Sequence, residues 1–356
     1  MSKSGSFLLF GSTEAYSGKS AAVVGIAFQL QEKGIDVSYG KLLGTYFKGK
    51  QRNNLDEDIQ FIAQTMKLPK EKLYLPLLNL QESTIAKRIT GEDTTDYRQS
   101  LNSYVEAQQA GISLIEGPGT LSEGKLFGLS LPEVAQILDA AVVLVCRYHS
   151  PLIVDSILAA KEVLGDRLIG VMINDVPEDQ LDLVKHSIIP FLSNHEINTC
   201  AVLPRSDVLR SVSVNELVKQ LNAEVLCCAD RLDLMVESLK IGAMNVNSAL
   251  KYFRKARNMA VVTGGDRTDL QLAALETSTH CLILTGHLPP TDTVRSRAED
   301  LEIPILSVDL DTLTTVEIID NTFGQVRLQE PIKVECVRDM MAQYCDIDSI
   351  LQALDR

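Results

Sequence analysis

The run Ser17-Gly18-Lys19-Ser20 has the residue types that hold a phosphate group, set after an apolar stretch and before one rich in Ala and Val. A loop joining a strand to a helix aims several backbone N–H groups at one anion, and the positive end of the helix dipole supports it. Gly18 permits close approach of the backbone. Lys19 supplies a mobile positive charge for the outer phosphates, and Ser20 offers a hydroxyl to Mg²⁺. Thr13 stands where the strict GxxxxGKS/T pattern has glycine, so the stretch from Gly11 through Thr13, Glu14 and Ser17 is a variant of that pattern. An ordinary turn with a helix cap is the alternative reading of a bare Gly-Lys-Ser.

Magnesium held between triphosphate oxygens takes one or two carboxylates from the protein. Two acids are candidates: Glu116, which ends an apolar run before Gly117-Pro118-Gly119, and Asp58, which sits where a helix is expected to start. Asp58 is equally explained as a solvated first-turn acid favoured by the helix dipole. Lys41 closes a second apolar run, where its ammonium either reaches the same crevice or lies along the surface. Asn174 follows a further apolar run and has the amide to meet a base edge, with Pro204 as an apolar wall; a plain turn at Asn174-Asp175 is the other reading.

A second cluster lies at Thr263-Gly264-Gly265-Asp266-Arg267-Thr268. Gly264-Gly265 exposes N–H groups at a helix start, Arg267 suits a carboxylate or phosphate, and Asp266 suits a ribose or Arg267 itself. His287 lies in a loop expected beside it. The alternative is a tight strand-to-helix turn capped by Asp266 or Asp269.

The elements that must position these residues follow from the order of apolar runs. Strands are expected at 6–10, 37–42, 113–116, 141–146, 168–173 and 198–203, alternating with helices at 20–33, 94–110, 153–164 and 214–221. That order is the pattern of a parallel sheet covered on both faces. A shorter alternation follows, with strands at 259–263, 281–285 and 305–308 and helices at 270–276, 293–302 and 315–323. We therefore expect an α/β protein: a P-loop parallel sheet over 1–222, a smaller α/β domain over 223–330, and a helical tail over 331–356. A chain of 356 residues is long enough for two such domains.

Composition narrows the function. A formal charge of -13 repels a polyphosphate backbone, so no nucleic-acid partner is expected. No apolar run is long enough to span a bilayer and 7–10 is too short for a signal peptide, so a cytoplasmic protein without membrane contact is expected. The seven cysteines include no CxxC pair and read as buried thiols, and the five histidines show no ligand spacing.

Taken together, residues 5–222 resemble dethiobiotin synthetase and the related P-loop domain at the N-terminus of long phosphotransacetylases. That family's loop also lacks the first glycine when aligned from the lysine, and this loop has one extra residue after Gly11. The resemblance implies that Lys19 and Ser20 meet phosphate and Mg²⁺, Asp58 and Glu116 the metal, Lys41 the substrate as catalytic lysine, and Asn174 and Pro204 the base. The family's Glu-Gly-Ala-Gly-Gly stretch is here Glu116-Gly117-Pro118-Gly119-Thr120, and the acid that often precedes that strand is replaced around Gly111. Residues 263–276, with 241–244 and 285–287, resemble the DRTGG domain, which in long phosphotransacetylases lies between the P-loop and acyl-transfer domains. The resemblance implies a stand-alone protein of the phosphotransacetylase family without the acetyltransferase domain. The expected function is that of a regulatory protein that binds ATP and Mg²⁺, has a second ligand or dimerisation module, forms a homo-oligomer and engages a protein partner. An ATP-dependent ligase or carboxylase and a non-catalytic scaffold are the alternatives.

Overall fold

In a computed structural model of the chain, residues 6–45, 57–106, 111–324, 328 and 330–355 are described. The chain divides into two compact units, one formed by residues 1–205 with 328–356 and the other by 206–327.

The first unit is organised by a seven-stranded parallel sheet. Its strands are β1 (Ser6–Ser12), β2 (Val37–Lys41), β4 (Leu73–Tyr74), β6 (Ile112–Glu116), β7 (Ala141–Arg147), β8 (Leu168–Val176) and β9 (Thr199–Pro204), in the order β4-β2-β6-β1-β7-β8-β9. A separate pair joins β3 (Leu43–Thr45) to β5 (Leu78–Leu80). The continuous apolar runs fit strands buried on both faces. Val142, Val143, Leu144, Val145 and Cys146 of β7 are all fully buried. The six strands expected from sequence all lie in this sheet, and β4 joins them at one edge. Leu73–Tyr74 is too short to carry a periodic signal of its own.

The register aligns the chemistry. Phe10 of β1 and Lys41 of β2 both pair with Glu116 of β6, so β2 and β6 end at one level of the carboxyl edge and β1 runs two residues further, to Ser12. Helix α1 (Lys19–Glu32) follows β1 directly.

The segment expected as a helical tail packs within the first unit. The Pro331–Tyr344 helix lies along α1, where a Cβ built on Gly25 would meet Met341 Cγ at 2.2 Å. Gln29 donates to the Met341 carbonyl, and Arg338 pairs with Glu32 at 2.6 Å and covers the Phe28 ring. The Ile347–Leu354 helix follows, with the Asp346 N–H donating to the Cys200 carbonyl of the edge strand β9. Covering an edge strand in this way removes its open hydrogen-bonding groups.

The second unit has a five-stranded sheet of β11 (Glu224–Cys227), β13 (Ser238–Ile241), β14 (Met259–Gly264), β15 (Thr279–Thr285) and β16 (Ile305–Val308), in the order β11-β16-β15-β14-β13. Only β11 runs antiparallel to its neighbour. A short pair, β10 (Val212–Ser213) with β12 (Met235–Val236), lies beside it. One apolar cluster holds Phe253, Leu270 and Val294, and another holds Val214, Leu217, Leu221 and Ile319. The Val214–Leu221 helix, which the sequence reading places at the end of the first domain, packs in the second compact unit, and the compact units divide after Arg205. Its apolar residues recur at three- and four-residue spacing and need a partner face, which the helix Thr312–Gly324 supplies with Ile319.

The seven cysteines are free thiols. Burial pushes those of Cys146 and Cys345 up to about 12. Among the described residues no helix is long and apolar enough to cross a membrane.

The docking of the Pro331–Tyr344 helix generates a stability test. Met341 is 1 % exposed, and truncating a buried Met costs about 2–5 kcal/mol. Met341→Ala therefore destabilises the first unit by that order, whereas Ile332→Ala, at a half-exposed position of the same helix, changes it by no more than about 0.5 kcal/mol. Urea unfolding of the full chain, followed by the transition of the first unit, measures both.

Candidate functional site

The loop between β1 and α1 is built around a left-handed residue. Gly18 has φ 98°, and a Cβ there would lie 2.3 Å from Asn174 Nδ2, so both conformation and space require glycine. Its carbonyl receives the first helical hydrogen bond, from the Ala22 N–H at 3.0 Å. The first turn of α1 carries no acid, which leaves the positive end of the helix to an anion.

Lys19 is buried to 8 % exposure, and its Nζ donates to Ser12 Oγ at 2.8 Å. Burial pulls its pKa below the ordinary lysine value; Glu116 and Glu123 oppose that shift, and Lys41 adds to it. Ser12 Oγ lies 2.8 Å from the Glu14 carbonyl and 2.7 Å from the Gly119 carbonyl, so it joins the loop after β1 to the loop after β6. Ser17 Oγ is buried with no hydrogen-bond partner. An unsatisfied buried hydroxyl inside a phosphate-type loop is the kind of group a ligand satisfies.

Beside the loop, Ser20 Oγ donates to Glu116 Oε1 at 2.9 Å and Tyr39 OH donates to Oε2 at 3.1 Å. Glu116 and Lys41 are both buried, next to each other in register. A carboxylate and a serine hydroxyl facing one another form the oxygen donor set that Mg²⁺ takes when phosphates supply the remaining ligands. The residues present therefore fit the ion. Among the described residues no group of three or more His, Cys, Asp or Glu side chains has metal-binding geometry, which a phosphate-shared Mg²⁺ does not require.

The other expected positions are distributed as follows. Thr13 lies beside the Cys146 thiol of β7, and Glu14 reaches His149 Nε2 at 2.8 Å on the exposed rim. Asp58 lies on the helix Glu57–Thr65, and its side chain falls outside the described residues. Asn174 donates Nδ2 to the Ser17 carbonyl at 2.8 Å, so it touches the phosphate loop directly. Pro204 ends β9 opposite Val176.

Sequence reasoning missed Tyr39, Ser12 and the group around Asp175. Ser12 ends the first strand, and its hydroxyl at a strand end is the one local signal of its role. Asp175 has φ 58° and interrupts the register of β8 with β9 between Ile173 and Val176. Its carboxylate accepts from Arg147 Nε and Arg205 Nε, each at 3.0 Å.

In the second unit the loops 241–244, 263–268 and 285–288 converge. Thr263 Oγ1 donates to the Gly242 carbonyl at 2.9 Å and Arg267 Nη2 to the Met244 carbonyl at 3.1 Å. A Cβ on Gly265 would meet the Leu288 carbonyl oxygen at 2.2 Å. Gln271, fully buried, donates to the Gly264 and Gly265 carbonyls, fastening the glycine turn. Arg267 Nε pairs with Asp269 at 3.2 Å, Asp266 curls back toward Gly264, and Thr268 begins the helix Thr268–Leu275. His287 Nδ1 lies 2.7 Å from Asp309 on the exposed surface.

Residues 8–232 match the model of the AAA domain family and residues 216–322 that of the DRTGG domain. Similar curated proteins include the phosphate acetyltransferase of Nitratidesulfovibrio vulgaris, 26% identical over 365 residues that cover 94% of this chain and 49% of that one. The phosphate acetyltransferase of Synechocystis is 26% identical over 281 residues, 76% of this chain and 39% of that one. The chain thus spans less than half the length of these relatives. Among solved structures, the CBS and DRTGG regulatory region of Clostridium perfringens pyrophosphatase, complexed with diadenosine tetraphosphate, aligns with 43% of this chain and 80% of that one, at 18% identity and a TM-score of 0.30. The chain belongs to the AAA domain family, and it carries a dethiobiotin synthetase-like P-loop domain together with a DRTGG domain, with phosphate acetyltransferases among its relatives.

Proposed function

We propose that this chain is a regulatory protein that binds ATP with Mg²⁺ at the loop 13–20, with a second ligand or a twin copy engaged at the DRTGG domain. The observation that carries the reading is the buried Lys19 ammonium, set between the unpartnered Ser17 hydroxyl and the Ser20–Glu116 pair. Phosphates meet Lys19 and the first N–H groups of α1. Ser20 and Glu116, with Asp58 as a further candidate, hold Mg²⁺, which neutralises charge on the outer phosphate oxygens. Asn174, fixed by its N–H to the Ser17 carbonyl, turns its amide oxygen to an exocyclic amine of the base, and Pro204 walls the base.

In the DRTGG domain, Gly264, Gly265, Asp266, Arg267, Thr268 and His287 form the edge at which a ligand or partner engages, since loops leaving the carboxyl ends of parallel strands share one edge. Homo-oligomerisation and a protein partner complete the proposal. The activity in the relatives' names is theirs and is not assigned to this chain.

A second reading, an ATP-dependent ligase or carboxylase, is favoured by one observation. Lys41 is buried at the same strand edge, paired in register with Glu116, where an amine can face a reacting group.

Three measurements follow. A ligand at a hundred times its Kd stabilises the folded state by about 2.7 kcal/mol, so calorimetric melting with Mg-ATP shifts the first unit upward and Lys19→Ala abolishes the shift. The depressed pKa of Lys19 gives a pH dependence. Phosphate favours the ammonium form, so binding raises the Lys19 pKa. Affinity is then full below the free-protein value and falls as pH rises through the window between the free and bound values, with proton uptake on binding within it. Titration calorimetry in two alkaline buffers of different ionisation enthalpy reads that uptake. Finally, ATP, bicarbonate and 7,8-diaminononanoate give phosphate release near background; robust cyclised product that vanishes in Lys41→Ala would establish the ligase reading instead.

A further inference from the structure

Asn174 and Asp175 sit where β8 leaves its register, and a bulge of this kind re-aims successive side chains. Asn174 turns to the phosphate loop and donates to the Ser17 carbonyl at 2.8 Å. Its amide also fills the space beside Gly18 that any larger residue would need. Asp175 turns to the two neighbouring strands and accepts from Arg147, the last residue of β7, and from Arg205, which follows β9.

The left-handed φ of 58° at Asp175 is a conformation that costs a non-glycine residue on the order of 1–2 kcal/mol unless its surroundings fix it. Here the two guanidinium groups fix it. The Asp175 side chain is 11 % exposed, and the Arg205 N–H donates to the Val176 carbonyl at 2.8 Å, which closes the bulge from the other side. Arg205 is also the residue after which the chain passes from the first unit into the second.

We propose that Asp175 is a positioning residue of the nucleotide site: the Arg147–Asp175–Arg205 bridge holds the β8 bulge so that Asn174 fixes the Ser17–Gly18 turn of the phosphate loop. The inference rests on nucleotide binding at the loop for its consequence, but its geometry is testable without any ligand.

The experiment uses the full chain, as wild type, Asp175→Asn, Asn174→Ala, the double variant, and Arg205→Lys, which keeps the charge and loses the fork. Mg-ATP affinity is measured by titration calorimetry, and hydrogen exchange of residues 13–18 by mass spectrometry on the ligand-free protein. The expected result is that Asp175→Asn weakens affinity on the order of tenfold, that the double variant is no weaker than Asn174→Ala, and that exchange at 13–18 rises alike in all three, as coupled neighbours require. Arg205→Lys gives a smaller effect of the same sign with circular dichroism unchanged, which separates the proposal from misfolding of Asp175→Asn. Additive losses, or unchanged exchange at 13–18 in both Asp175→Asn and Arg205→Lys, would overturn it. Absence of Mg-ATP binding by wild type would remove the nucleotide reading, and the exchange arm would then decide the positioning role by itself.

Discussion

The burial of one ammonium group organises the first unit. Taking Lys19 out of water disfavours its charged form, and the cost is offset only where hydrogen-bond acceptors and opposite charge are already in place. Ser12 at the end of β1 supplies the acceptor, and Glu116 at the end of β6 supplies the nearest charge. The parallel pairing of Phe10 with Glu116 brings the ends of β1 and β6 to the same edge of the sheet, with Ser12 two residues further along its strand. The sheet order places β6 and β2 on one side of β1 and β7, β8 and β9 on the other. Acid, tyrosine and Lys41 accordingly gather on one flank of the phosphate loop, and Asn174 with the Arg147–Asp175–Arg205 bridge on the other.

The second unit uses the same edge of a parallel sheet with different materials. Its turn after β14 is fastened from beneath by Gln271 and closed from above by the Leu288 backbone, so the glycines are required by packing as well as by any ligand. Arg267 spends part of its guanidinium on Asp269 and on the Met244 carbonyl. A ligand at this edge would compete with those contacts or share them.

What sequence made legible was whatever local periodicity and composition encode. The runs that became β1, β6, β7 and β8 are apolar without interruption and long enough to stand out, and Ser17 to Ser20 announces its own chemistry. The docking of the Pro331–Tyr344 helix was not legible, because its contact with α1 depends on Gly25 and Met341 matching across more than three hundred residues. The division after Arg205 was hidden for a related reason: the Val214–Leu221 helix has a clear apolar face, but the sequence does not say which sheet that face covers. Asn174 was read as a base contact or a turn. The structure gives its amide a hydrogen bond to Ser17 that no local pattern encodes. Helix-start composition points to Asp58, whose side chain lies outside the described residues.

In the proposed reading Ser20 and Glu116 form one half of a cation site whose other half is a bound triphosphate. A crystal of the full chain grown with Mn²⁺ and a non-hydrolysable ATP analogue tests it through the anomalous signal of the metal. The account predicts a single strong peak between Ser20 Oγ and the Glu116 carboxylate, with the phosphates against Lys19 and the start of α1. A fully occupied analogue elsewhere on the chain, or a loop 13–20 that holds neither metal nor phosphate at saturating ligand, would contradict it.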